Sequence, residues 1–170
     1  MPYIEEWELL DHMPLPALFL QSIPEGVVLI SLGLVLVGVR PRPVPVAVVA
    51  AAESVALYFI RILPLPFGVH TVVAVALIAV GLRAVAGLAW WRALAASVAG
   101  TSLLVVTEGL CLPVVTQLFG VRAETVLATL WLRVVFPLPY EAVLALVGWW
   151  CWRRRWSLFP REEGGSGDLV

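Results

Sequence analysis

Apolar residues along this chain neither alternate with polar ones, as in a half-buried strand, nor keep to one stripe of a helix. They come in long runs cut at intervals by proline and glycine. Five runs are long enough to be transmembrane helices, at about residues 16–39, 46–63, 67–87, 89–115 and 140–156. Arg40, Pro41, Arg42, Pro43 and Pro45 end the first as a tight basic loop, because closely spaced prolines cannot continue a helix. Pro64 and Pro66 stop the second, so the second and third form an antiparallel hairpin. Gly87 separates the third from the fourth, and Pro137 and Pro139 precede the fifth. Within the first run Pro24 removes a backbone donor and Gly26 adds freedom, which predicts a kink or a short re-entrant turn. The stretch 124–136 is apolar but short and is expected to lie outside the spans as an interfacial helix.

Composition makes these runs a membrane signature. With 61% hydrophobic and 14% charged residues, the chain has more apolar surface than a soluble domain of 170 residues can bury. Helices satisfy their own backbone groups in lipid, so an all-α integral membrane bundle of about five spans is expected, as one domain over 16–156. Residues 1–15 carry Glu5, Glu6, Glu8 and Asp11 with no base, and read as an acidic extracytoplasmic lead-in rather than a cleavable signal peptide. Residues 157–170 read as a disordered cytoplasmic tail. Cys111 and Cys151 fall near opposite faces and fit no metal spacing, so neither a disulfide nor a metal site is expected.

The bases are all arginine and sit at the ends of the runs, which carries topology rather than nucleic-acid affinity. With the amino terminus outside and five spans, Arg40, Arg42, Arg83, Arg92, Arg153, Arg154, Arg155 and Arg161 face the cytoplasm. Arg61, Arg122 and Arg133 then face out. Eight against three is a positive-inside bias, and it places the carboxyl terminus on the cytoplasmic side.

Against this background the polar residues inside apolar runs stand out. Glu25 lies roughly 14 Å along the first span from Pro16, Glu53 near the middle of the second and Arg61 at its outer end. His70 opens the third, Glu108 falls in the outer half of the fourth, and Glu141 begins the fifth. An ionised group left in hydrocarbon costs on the order of 2.5–3.5 kcal/mol on insertion scales, so these residues should face one another or a wet cavity. Glu25, Glu53, Arg61, His70 and Glu108 are therefore the candidate ligand-binding residues of an outer-half polar pocket, with Gln21, Tyr58, Arg133 and Glu141 secondary. Arg61 can pair with Glu25, Glu108 or Glu141, whereas Glu53 is about 80° away from it around the same helix and needs a partner elsewhere, or a proton.

Each candidate also has a structural reading: helix-orienting contacts for Glu53 and Glu108, snorkelling for Arg61, a first-turn interfacial position for His70, and helix-dipole contacts for Glu25 and Glu141. HExxH, zinc-spaced cysteines, phosphate loops and paired intramembrane aspartates do not occur. Ser54 beside Glu53 and Thr107 beside Glu108 are expected to point to different helix faces from those acids, which argues against a nucleophile and base. No enzyme and no cofactor is expected.

The residues Ser22, Ile23, Pro24, Glu25 and Gly26, the stretch from Tyr58 through Arg61 to His70 and Thr71, and Glu108 resemble the membrane-embedded amino-terminal regions of some Gram-positive sensor histidine kinases and related stand-alone membrane proteins. The resemblance spans about residues 15–150. It implies a membrane sensing module that acts on a protein partner by lateral contact. No kinase residues follow Arg155, so no output domain is expected here. The expectation is thus a sensory or regulatory module binding a small ligand or partner, with the bilayer around it and a membrane protein or a second copy beside it. Two other readings use the same residues. One is a transporter of a small solute or ion, or its substrate-binding component, although no inverted repeat is visible. The other is a structural or assembly protein.

Overall fold

The computed structural model describes residues 18–60, 63, 68–120 and 129–159. They are helical, with no strand among them. A π-helical turn, Leu18–Ser22, runs directly into α1 (Ile23–Leu36). Then follow α2 (Pro43–Ile60), α3 (Val69–Ala86), α4 (Trp90–Phe119), a short α5 (Leu130–Val135) and α6 (Leu138–Arg154). The irregularity expected at Pro24 takes the form of the π-helical turn, not a re-entrant turn: proline has no amide to donate to the preceding turn, and the wider winding of Leu18–Ser22 accommodates its ring. Neither the amino-terminal lead-in nor Arg61 lies within the described residues.

Chain reversals fall where backbone chemistry allows them. Gly38, at φ 79°, closes α1 while the Val37, Gly38 and Val39 amides donate to the Gly33, Val35 and Leu34 carbonyls. Gly87, at φ 69°, closes α3, and the Arg83 guanidinium clasps the turn by donating to the Leu88 carbonyl at 3.2 Å. Helix α4 runs past its expected end, through Pro113, to Gly120 at φ 63°. Its 30 residues make it about 45 Å long, against roughly 30 Å of hydrocarbon in a bilayer. Of the expected interfacial helix over 124–136, Leu130–Val135 is helical, and residues 121–128 lie outside the described set.

Four helices are long and apolar enough to cross a membrane: Phe19–Leu36, Pro43–Ile60, Val69–Ala86 and Trp90–Leu118. Helix α6, of 17 residues, is shorter and less apolar and lies alongside them. Helices α1 to α4 alternate in direction and close a ring in which α1 meets α2 and α4, and α3 meets the same two from the other side. Helix α6 docks outside this ring on α1 and, less extensively, on α4. The centre is therefore α1, whose Leu29, Ile30, Leu32, Leu34, Val35 and Leu36 are all buried.

Small residues let the backbones approach. Helix α4 buries a face of small residues, with Ala93, Ala96, Ser97, Gly100 and Thr101 turned inward. Gly33 meets the Ala96 backbone, and a Cβ on Gly100 would lie 2.6 Å from the Leu29 carbonyl oxygen. On α2 only part of the alanine surface is used: Ala50 is fully buried, while Ala47 and Ala52 are exposed. The Ser97 hydroxyl donates to the Ala93 carbonyl of its own helix at 2.7 Å. Ser97→Ala is accordingly expected to change thermal stability by less than about 1 kcal/mol, and a loss above about 2 kcal/mol would show that the hydroxyl serves another helix.

The last described residues are ordered against the bundle rather than trailing from it, contrary to the expectation for 157–159. Arg155 takes a left-handed conformation at φ 55° and turns the chain, so that the Leu158 amide donates to the Leu36 carbonyl at 2.7 Å. Phe159 then packs edge-on against Trp91, with centroids 5.6 Å apart. One hydrogen bond and one ring contact thus tie α6 to the ends of α1 and α4.

Candidate functional site

The directions of the helices put every described carboxylate toward one end of the bundle and the Arg40/Arg42 loop, the α3–α4 turn and the α6 terminus at the other. Helix α2 runs antiparallel to α1, and Gly26 faces Ala50 closely enough that an added Cβ would lie 3.2 Å from the Ala50 Cβ. The same point is 3.7 Å from Glu53 Oε2. The absent side chain at Gly26 therefore makes room for the Glu53 carboxylate one residue from Glu25. Both acids are half-buried, and neither is without a partner. Each lies seven residues from the near end of its helical segment, about 10 Å in.

Ser54 is buried, and its hydroxyl donates to Glu53 Oε2 at 3.4 Å. The expectation that the two side chains diverge is thus corrected: adjacent residues lie about 100° apart around the axis, but the glutamate is long enough to bend back to its neighbour. The contact is at the weak end of hydrogen-bond geometry and marks local satisfaction of the carboxylate.

Helix α6 supplies the other half of the group. It runs parallel to α1, and Gly148 lies against Leu32. Counting back seven residues on each helix brings Glu141 level with Glu25. Glu141 is 9% exposed and Tyr140 5%, despite their position in the first turn of α6. Tyr140 is buried in the apolar cluster that α6 forms with α1, against which Cys111 of α4 also packs. On α4, Gly100 against Leu29 sets an antiparallel register that brings Glu108 level with Gln21. Glu108 is exposed, and the Gln21 side-chain oxygen is buried with no hydrogen-bond partner among the described residues.

The remaining candidates are distributed around this group. His70 lies in the first turn of α3, half-buried, and its Nε2 has no hydrogen-bond partner among the described residues. Tyr58, half-buried near the end of α2, stacks edge-on against Phe59 with centroids 5.5 Å apart. Arg133 belongs to α5.

Tyr140 is the residue that sequence reasoning missed. Its signal was the spacing of Tyr140, Leu144 and Cys151, which are four, seven and eleven residues apart and form the buried stripe of α6. Among the described residues no three His, Cys, Asp or Glu side chains come together as a metal-binding group. What the arrangement offers is an acid-rich end of the bundle with Glu25, Glu53 and Glu141 partly or fully buried and Glu108 exposed, suited to a proton or an organic cation. Comparison of the chain with protein-family models, with curated proteins and with solved structures gives no match.

Proposed function

We propose that this chain is a sensory or regulatory module of a bacterial cytoplasmic membrane and that its outer half binds a small cationic ligand, such as an amine, or a cationic group of a membrane partner. In this reading α6 is a fifth span, the amino terminus is outside, and the arginine-bearing end is cytoplasmic, as the positive-inside rule requires. The observation that carries it is the meeting of Glu53 with Gly26 beside Glu25, with Glu141 level with them in the register of α6 on α1 and Glu108 toward the same end, away from the arginines. Three carboxylates held partly out of water, Glu25, Glu53 and Glu141, favour any cation that replaces lost hydration, and a ligand that orders α6 against α1 changes the surface offered to a partner. The resemblance to kinase sensor regions points the same way.

Thermal unfolding of the detergent-purified protein against a panel of small amines tests this. A ligand at 100 times its dissociation constant should stabilise by about 2.7 kcal/mol if it binds only the folded state. The shift should vanish in Glu53→Gln and Glu25→Gln while anionic compounds give none in any variant. No shift with any amine, together with lower stability in both variants, would instead make the acids structural. Flux across proteoliposomes that depends on Glu53 would move the site to transport.

A further inference from the structure

The opposite end of the bundle carries its own pattern. Trp90 and Trp91 open α4, Trp149, Trp150 and Trp152 close α6, and Trp156 follows, all 47–58% exposed. Among them lie the exposed Arg40, Arg42, Arg153, Arg154 and Arg155. Arg153 rests over Trp149 at 5.4 Å and Arg92 over Trp91 at 5.0 Å. All four carboxylates among the described residues, Glu25, Glu53, Glu108 and Glu141, lie toward the other end. The turn at Arg155, with Leu158 on Leu36 and Phe159 on Trp91, draws the arginines of α6 beside the ends of α1 and α4.

We infer that this end is a docking surface for phospholipids with net negative headgroups, and that it discriminates them from zwitterionic lipids. No carboxylate among the described residues lies at this end to oppose Arg40, Arg42, Arg153, Arg154 and Arg155, and a guanidinium presents a planar fork that matches phosphate. Exposed indoles beside it suit the amphipathic layer between headgroup and acyl chain, and stacking on the Trp149 indole holds Arg153 without neutralising it. A zwitterionic headgroup brings its own cation to each phosphate, whereas an anionic one leaves the phosphate uncompensated. Each arginine near an anionic surface is worth roughly a fivefold gain in binding, so several acting together discriminate strongly even when their effects fall short of multiplying.

Six of the eight tryptophans stand at this end, which makes their fluorescence the readout. The full chain is reconstituted in mixtures of phosphatidylcholine and phosphatidylglycerol in which one species at a time carries brominated acyl chains, and quenching gives the relative association constant. Phosphatidylglycerol should be preferred by at least about tenfold, and the preference should collapse as salt rises above about 0.5 M. In R40Q/R42Q/R153Q/R154Q/R155Q it should fall to within about twofold of parity, and the corresponding five lysine substitutions should retain most of it. Equal quenching by both lipids in the unaltered protein overturns the inference, as does a preference indifferent to salt or to loss of the five arginines. A preference that appears only after removal of residues 161–170 would also overturn it, because Glu162, Glu163 and Asp168 of the chain itself would then be the occupant.

Discussion

Gly33→Ala is expected to destabilise the bundle by about 3 kcal/mol, the upper part of the range for overpacking, because the new methyl group would overlap the Ala96 carbonyl. Backbone meets backbone there, so no rotamer change relieves the clash, and α1 must separate from α4 along the contact that holds the ring closed. Gly100→Ala should cost a similar amount, since its Cβ would come 2.6 Å from the Leu29 carbonyl oxygen. At Gly81 the nearest atom is Val49 Cγ1 at 2.8 Å, a side chain that can rotate, and the loss should be smaller. Gly148 has only ordinary contacts, the nearest at 3.6 Å, and Gly109 faces open space. Alanine at either should be neutral or should gain up to about 1 kcal/mol from reduced chain entropy. Unfolding the five variants in one detergent ranks them, and equal losses at Gly33 and Gly109 would refute the packing of α1 on α4.

An arginine in place of Val98 should cost about 2.5–3.5 kcal/mol of membrane insertion, whereas Leu118→Arg should be tolerated. Both residues are exposed, at 46% and 77%, so in water either substitution would be close to neutral. The difference comes from depth along α4. With Trp90 at one interface, Val98 lies about 12 Å in, beyond easy reach of the headgroups, and Leu118 lies about 42 Å along, past the hydrocarbon. Glycosylation-based insertion assays of α4, or yields of membrane-integrated protein, read this directly. Equal tolerance at the two sites would mean that the exposed face of α4 does not contact lipid.

The same separation between faces explains what was legible beforehand and what was not. Glu25, Glu53, Glu108 and Glu141 were recognisable because an acid inside an apolar run is costly wherever it points, and helix alternation alone sends all of them toward one end. Their grouping was not recognisable. Glu53 reaches Gly26 because α2 is antiparallel to α1 in the register set by Ala50, and Glu141 comes level with Glu25 only through α6 docking parallel to α1. Tyr140 was only the first residue of the fifth apolar run, and its burial depends on that docking.

Sequence by itself determined where the long apolar helices lie, their breaks at Gly87 and the proline loops, and the division of the chain into an acidic and an arginine-rich end. These follow from local backbone chemistry and from the cost of charge in hydrocarbon, both of which act residue by residue. Only the tertiary structure decided that α1 is central, that α6 lies outside the ring, and that residues 157–159 fold back onto Leu36 and Trp91. In water an amphipathic stripe would have announced the inward face of each helix. Here lipid is as apolar as the core, so Val98 outside and Ile78 inside carry the same hydropathy. What separates them is the fit of Gly33 and Gly100 against a neighbouring backbone, a property of two helices together.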